Sequence, residues 1–358
     1  MTEIGEKLLA WYDIHARQLP WRVGPDALRA GFQPDAYEVW LAEIMLQQTT
    51  VATVKDYYTR FTQKWPTVQA LAAASEDDIL KQWAGLGYYS RARNLKKCAD
   101  TIVSEHGGQF PADLFKLRAL PGIGDYTAAA IASIAFGIPA PVVDGNVERV
   151  FSRLFTIDTP LPKAKAEIRE RVNDVLTKER PGDFAQACMD LGATICTPKK
   201  PACMHCPVRL DCTVLGVQDP ERFPVKPPKK EKPNRVGAAY VIVNEKGQIL
   251  LAKRTSTGLL ANMTQVPTTD WNSRKDGMTD IGGAPIKNAR WMRSGQIEHV
   301  FTHFSLTLTV WKTEVAKSQF TPADGQWWAP IATLQGEALP TVMKKVIAHA
   351  LPDAKLRG

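Results

Sequence analysis

"LPGIGDYTAAA", residues 120–130, sets a proline and two glycines ahead of a tyrosine and a run of small residues. Helical periodicity on either side, at about 113–119 and 125–136, makes the stretch a helix–hairpin–helix. Gly122 and Gly124 let backbone N–H groups, including those opening the second helix, point at an anion such as a phosphate oxygen. Contacts of that kind position a protein on DNA without reading its bases. A PGxG turn alone is a weak signal; the whole "LPGIGxxTAxxI" pattern is much stronger.

The helical pattern extends outward from this hairpin, from the chain start to about residue 215. "AYEVWLAEIMLQQTTVATVKDYYTRF" (36–61) places Tyr37, Trp40, Leu41, Ile44, Val51 and Tyr58 along one helical stripe. The spacing predicts further helices at about 76–84, 90–106, 145–155, 163–177 and 183–195. "DPERFPVKPPKKEKPNR" (219–235) has no periodicity and reads as an extended, semi-rigid linker. Beyond it the period becomes two. "RVGAAYVIVNEKGQILLAKR" is two strands around an "NEKG" turn, "EHVFTHFSLTLTVWKTEV" is another long strand, and "ALPTVMKKVIAHAL" is a closing helix. The fold class is therefore an all-α domain at 1–215, a linker at 216–235 and an α+β domain at 236–358.

The 358 residues carry 44% hydrophobic and 23% charged side chains, enough for real cores and against disorder. A net charge of +8 and a pI near 9.1 favour an anionic partner, nucleic acid the commonest, although a solvated basic surface explains the charge alone as well. No apolar run approaches a membrane span, and "MTEIGEKLLAWYDIHARQLPWR" has no apolar core of a signal peptide. A cytoplasmic protein without a membrane partner is expected. Four of six cysteines, Cys196, Cys203, Cys206 and Cys212, follow a C-x6-C-x2-C-x5-C spacing. Four thiolates in one loop suit a metal in a reducing compartment: a tetrahedral zinc or an iron–sulfur cubane, with the irregular spacing leaning to [4Fe–4S]. Lys199, Lys200 and Arg209 on that loop either solvate it or meet a phosphate backbone.

Two carboxylates are ambiguous on local grounds. Asp144 in "PAPVVDGNVERV" reads as a helix N-cap, and Glu43 flanks an apolar stripe where most glutamates are solvated. The cysteine set, "LPGIGDYTA" and "VVDGN" together resemble the helix–hairpin–helix DNA glycosylases of the endonuclease III superfamily. "LAEIMLQQTTV", "GLGYYSRARNL" and "FAQACMDLGATICTPKKPAC" narrow the resemblance to the MutY-type adenine DNA glycosylases, whose Nudix-like recognition domain the distal part resembles. The resemblance covers nearly the whole chain. It implies a six-helix barrel over about 22–135, a cluster subdomain from 1–21 and 136–215, one [4Fe–4S] cluster, and a monomer at a bacterial nucleoid. The implied substrate is double-stranded DNA with A:8-oxoguanine or A:G mispairs, from which adenine is excised.

By the same resemblance Glu43 protonates adenine N7 and helps activate water, which asks for a carboxyl raised by burial. Asp144 stays ionised against the sugar cation or attaches to it transiently. Tyr126 and Asn146 orient the carboxylates, and Gln186 hydrogen-bonds the edge of the flipped adenine. Gln48 and Tyr88 wedge beside 8-oxoguanine, although for Tyr88 alone packing against neighbouring helices is the default reading. Trp21, Arg22, Thr49, Gly122 and Gly124 join the substrate-binding set. "FTH" (Phe301, Thr302, His303) matches the loop that reads 8-oxoguanine, with threonine where serine is usual; one face of an alternating strand is the plainer explanation.

Three rival functions meet obstacles in the sequence. A Nudix hydrolase needs a glycine-led helix with an R-E-x2-E-E cluster, and "GLLANMTQVPTTDWNSRKDG" (258–277) contains no glutamate. A non-catalytic iron–sulfur DNA-binding regulator would not need both Glu43 and Asp144. A bifunctional glycosylase/lyase carries lysine where Tyr126 stands, and no lysine occurs between Lys116 and Lys163. The segment "RVGPDALRAGFQPD" (22–35) is longer than the family's usual connection.

Overall fold

The computed structural model describes residues 3–228 and 231–354, so Lys229 and Lys230 of the expected linker lie outside the described residues. Packing divides the chain into two compact units, Met1–Ala73 with Asn94–Lys229, and Ala74–Arg93 with Lys230–Gly358. The division differs from the sequence boundaries in one segment, 74–93. Its side chains explain why. Asn262 donates to Glu76 at 2.7 Å, Lys253 pairs with Asp77 at 3.3 Å, and Arg93 donates to the Ala261 carbonyl at 2.9 Å.

The first unit is helical: α1 (Glu3–His15), α2 (Pro25–Arg29), α3 (Ala36–Leu46), α4 (Val51–Lys64) and α5 (Val68–Ala73). α6 (Glu76–Trp83) belongs to the second unit, and α7 (Ser90–Glu105) begins there. Then follow α8 (Leu114–Ala119), α9 (Asp125–Phe136), α10 (Gly145–Leu154), α11 (Lys165–Val175) and α12 (Pro181–Thr194). The stripe from Tyr37 to Tyr58 is not one helix. α3 ends at Leu46, Gln48 takes a positive φ of 57°, and Thr50 caps α4 by accepting from Thr53 N–H at 3.3 Å. Thr50 competes with the backbone for its own N–H groups, the usual reason a threonine starts a helix rather than continuing one. The break leaves Gln48 exposed at a tight corner.

α3 is buried from Val39 through Met45, Glu43 included. α9 packs on it, and the small buried residues Thr127, Ala128, Ala129 and Ala130 let α9 come close to its neighbours. Between α8 and α9 the hairpin turns at Gly122, φ 77°, where an added Cβ would stand 2.6 Å from Asn94 Cβ. Close approach and left-handed backbone both demand glycine there. The 22–35 segment contains α2, so it is partly ordered as a short helix.

The second unit is a mixed sheet: β1 (Asn234–Asn244), β2 (Gln248–Lys253), β3 (Thr264–Gln265), β4 (Met292–Val300), β5 (Ser305–Val315) and β6 (Gln326–Pro330). The order is β3-β2-β1-β5-β4, with β1 and β5 parallel and β6 paired to β2. α13 (Thr341–Ala350) contributes Val342, Met343, Val346 and Ile347 to the core of Val241, Leu251, Leu306 and Leu308. The single long strand expected over 298–315 is a hairpin. Val300 pairs with Ser305, and Phe301 N–H donates to the Phe304 carbonyl at 2.8 Å, so the "FTH" residues form the turn. Between β3 and β4 the only helical piece is a 3-10 turn at Ile281–Gly283, where a Nudix hydrolase would have its metal-binding helix. No helix among the described residues is long and apolar enough to cross a membrane.

Candidate active site

A cavity of about 760 Å3 opens in the first unit, and its walls collect most of the residues singled out above. Trp21, Arg22, Glu43, Gln48, Thr49, Gly124, Tyr126, Asp144, Asn146 and Gln186 line it. Gly122 does not. Tyr88, Phe301, Thr302 and His303 line a separate cavity of about 510 Å3 in the second unit. There the Tyr88 hydroxyl is 3.0 Å from Thr302 Oγ1, and the Phe301 and Phe304 rings stack at 4.7 Å.

Glu43 is only 6% exposed, and the Tyr126 hydroxyl donates to its Oε2. Burial pushes the Glu43 carboxyl up to about 7; Asp144 nearby adds to the rise, while the Tyr126 bond and the Arg22 charge oppose it. A carboxyl in an apolar wall thus keeps its proton close to neutral pH. The solvated reading of Glu43 fails because α3 is buried on all sides at this level.

Asp144 is a helix cap and a cavity residue at once. Its Oδ1 accepts from Val147 N–H at 2.7 Å at the start of α10, and its Oδ2 accepts from Asn146 Nδ2 at 2.9 Å. Burial raises its carboxyl above the ordinary aspartate value, and these two donors oppose the rise. The amide of Asn146 is oriented in turn by Arg149, which donates to its Oδ1 at 2.9 Å and to the Gly192 carbonyl at 2.6 Å. Arg149 only donates, so Asn146 must turn its own NH2 toward Asp144. α12 reaches this spot through Gly192, where a Cβ would meet Asn146 Cβ at 2.6 Å.

Sequence reasoning missed Asp190 and Arg17. Asp190 is fully buried and accepts from Arg17 N–H at 2.9 Å, Arg17 Nε at 2.6 Å and Arg22 Nη1 at 2.8 Å. The signal was an acidic residue inside the apolar run "AQACMDLGA" of α12.

Glu43 also carries a stability signature. Its folded-state value, raised from 4.5 to about 7, means that its contribution is full below pH 4.5 and is lost as pH rises through 7. The loss amounts to about 3 kcal/mol at ~1.4 kcal/mol per unit. Thermal unfolding of Glu43→Gln should therefore gain on the wild type between pH 5 and pH 8. A constant difference across that range would mean that Glu43 ionises normally in the folded protein.

The four loop cysteines are free of disulfides and surround a small cavity of about 30 Å3 with Arg153 and Arg209. Buried Arg153 donates to Cys196 Sγ at 3.3 Å and to the Thr197 and Pro198 carbonyls. Around the sulfurs the loop has only two 3-10 turns, Cys203–His205 and Arg209–Asp211, and leaves Met204 and Leu210 exposed. Among the described residues no group of three or more His, Cys, Asp or Glu side chains is arranged to hold a metal ion.

Residues 41–177 match the model of the HhH-GPD superfamily of base excision DNA repair proteins, and residues 238–349 match the NUDIX domain. The adenine DNA glycosylase of Rattus norvegicus is 36% identical over 97% of this chain and 77% of its own. The chain belongs to the adenine DNA glycosylase family. The Homo sapiens adenine DNA glycosylase is also 36% identical, over 97% of this chain and 73% of its own. Among solved structures, a thermostable thymine-DNA glycosylase superposes with a TM-score of 0.52 at 29% identity, covering 59% of this chain and 94% of that one. The glycosylase family's architecture, a helical HhH-GPD domain followed by a sheet-containing Nudix-like domain, is the one described above.

Proposed function

We propose that the protein is a monofunctional adenine DNA glycosylase that removes adenine opposite 8-oxoguanine, and also opposite guanine, by hydrolysis of the N-glycosidic bond. The observation that carries the reading is the Tyr126–Glu43 and Asn146–Asp144 pairing of two carboxyls in one cavity. A base inside a duplex must be flipped to be reached, and the 760 Å3 cavity has room for a nucleotide.

Glu43 gives its proton to adenine N7 while the C1′–N9 bond breaks and its electrons pass to the leaving base. Tyr126 holds one carboxyl oxygen and leaves the other to carry that proton. Positive charge develops on the sugar, and Asp144 offsets it. Water then adds to C1′ and loses its proton to the Glu43 carboxylate, which regenerates the acid. Gln186, buried in the cavity wall, offers an amide to the base edge. Gly124 opens α9 without a side-chain cap, so the first-turn N–H groups remain for a DNA phosphate. Gln48, at its strained corner, wedges into the stack. Tyr88, Phe301, Thr302 and His303 face one cavity and form the reader of 8-oxoguanine. Without a metal-binding helix, the Nudix-like domain binds rather than hydrolyses.

Cys196, Cys203, Cys206 and Cys212 hold one [4Fe–4S] cluster. The residues fit it: four free thiols line one small cavity in the loop, and buried Arg153 donates to Cys196 Sγ, where it would offset thiolate charge. The irregular C-x6-C-x2-C-x5-C spacing of these cysteines leans to a cubane over zinc. When bound, the cluster would tie the four cysteine thiolates to one iron–sulfide core and so order the loop. Metal analysis of anaerobically purified protein should give four irons and acid-labile sulfide per chain; one zinc and no iron would overturn the assignment.

The function is tested by incubating the protein with A:8-oxoguanine, A:G and A:T duplexes under single turnover. Free adenine should be released fastest from the first, with strand breaks only after alkali and little borohydride-trapped adduct. A phenol at position 126 cannot form an imine. Efficient trapping, or nicking without alkali, would favour the lyase alternative instead.

A further inference from the structure

Arg22 reaches the Glu43 side of the cavity from the chain between α1 and α2, and something must keep its guanidinium from neutralising the acid. Its side chain is 7% exposed, and Asp190 Oδ1 and Oδ2 both accept from its Nη1 at 2.8 Å. The same carboxylate takes the Arg17 backbone N–H and Nε, so it fixes the backbone as well as the side chains. Asp190 lies one helical turn beyond Gln186 on α12, and α12 also carries Gly192 against Asn146. One helix thus contacts the base-binding amide, the Asp144 partner and the arginine beside Glu43.

We propose that Asp190 is a positioning residue: it clamps Arg17 and Arg22 in the cavity wall and offsets their charge, so that Glu43 meets a guanidinium already partnered. The proposal rests on the reading of Glu43 as the proton donor. Three charged or titratable groups in the same cavity act on Glu43: Tyr126 from α9, which bonds it, Asp144 from the start of α10 and Arg22 from the segment after α1. Around Asp190 stand Arg17, Arg22 and, from α1, Tyr12, whose environment also includes Asp183. Glu148 and Lys165, paired at 2.9 Å, line the same cavity. Replacing Asp190 by asparagine leaves two cations with no anion between them. Arg22 then has Glu43, whose carboxyl already feels its charge, as its alternative partner. An opposite charge that closes on a carboxyl stabilises the ionised form, the form that cannot donate. Burial alone would have left Glu43 protonated.

Adenine release from A:8-oxoguanine DNA under single turnover, measured from pH 5.5 to 9 (~half-unit steps), tests the clamp. The alkaline limb of Asp190→Asn should move down by about one pH unit, so that its release at pH 8 falls about fivefold further than at pH 6. Adding Arg22→Met should return the limb to the wild-type position or above it, whatever the absolute rate. If Asp190→Asn does not fold, Arg22→Met alone should move the limb upward. A folded Asp190→Asn with a uniform loss and an unmoved limb overturns the clamp, as does a stationary limb in Arg22→Met. A wild-type profile without an alkaline limb would sink the Glu43 reading itself, and the clamp with it. A limb that Asp190→Asn leaves in place overturns the clamp alone.

Discussion

Glu43→Gln is expected to bind A:8-oxoguanine duplex as the wild type does, while adenine release falls by at least ~10²–10⁴-fold. The amide keeps the size of the side chain and an oxygen for the Tyr126 hydroxyl, so the wall of the cavity should survive. What it lacks is a proton acidic enough to give to adenine N7. On the proposed reading the acid form is the working form, and the carboxyl is pushed up to about 7 by burial. Wild-type release should therefore decline about tenfold per unit above pH 7, and the glutamine variant should show no such limb. Near-normal single-turnover release by the variant would remove Glu43 from the chemistry.

Asp144→Asn should cost nearly as much, and for a different reason. Removing one unit charge about 4 Å from a developing sugar cation, at an effective dielectric of about 20, forfeits about 4 kcal/mol, or about a thousandfold in rate. Asparagine caps a helix as well as aspartate does, so the bond from Val147 N–H and the start of α10 should persist. The two readings of Asp144 then separate cleanly. Unchanged thermal stability with a large loss of adenine release is the outcome expected here. Unchanged stability with unchanged release would leave the cap as its whole role.

Much of the helical unit was legible because periodicity and turn residues agree. The helices expected at 76–84, 90–106, 125–136 and 145–155 lie within one residue of α6, α7, α9 and α10. The failures have physical causes. Continuous apolar spacing from Tyr37 to Tyr58 hid a corner, because Gln47 to Thr50 break the helix with backbone geometry and a cap rather than with glycine or proline. The hairpin at 300–305 was hidden likewise: "VFTHFS" keeps strand-like residues through a turn closed by one Phe301–Phe304 bond. Of the site, Glu43 and Asp144 were singled out by resemblance, while local reading favoured a solvated glutamate and a plain cap. Burial of α3 on all sides is a tertiary property that one stripe cannot reveal. Asp190 was missed for the same reason, since a lone acid in an apolar helix shows its partners only when Arg17 and Arg22 are folded against it.

The central claim is that Glu43 holds a proton near neutral pH. Carbon-13 labelling of glutamate side chains, with Glu43→Gln used to assign the resonance, reads that proton directly. The account predicts a Glu43 carboxyl signal that titrates around pH 7, well above the ordinary glutamate value of 4.5. A Glu43 signal already fully ionised at pH 5 in the folded protein would contradict it.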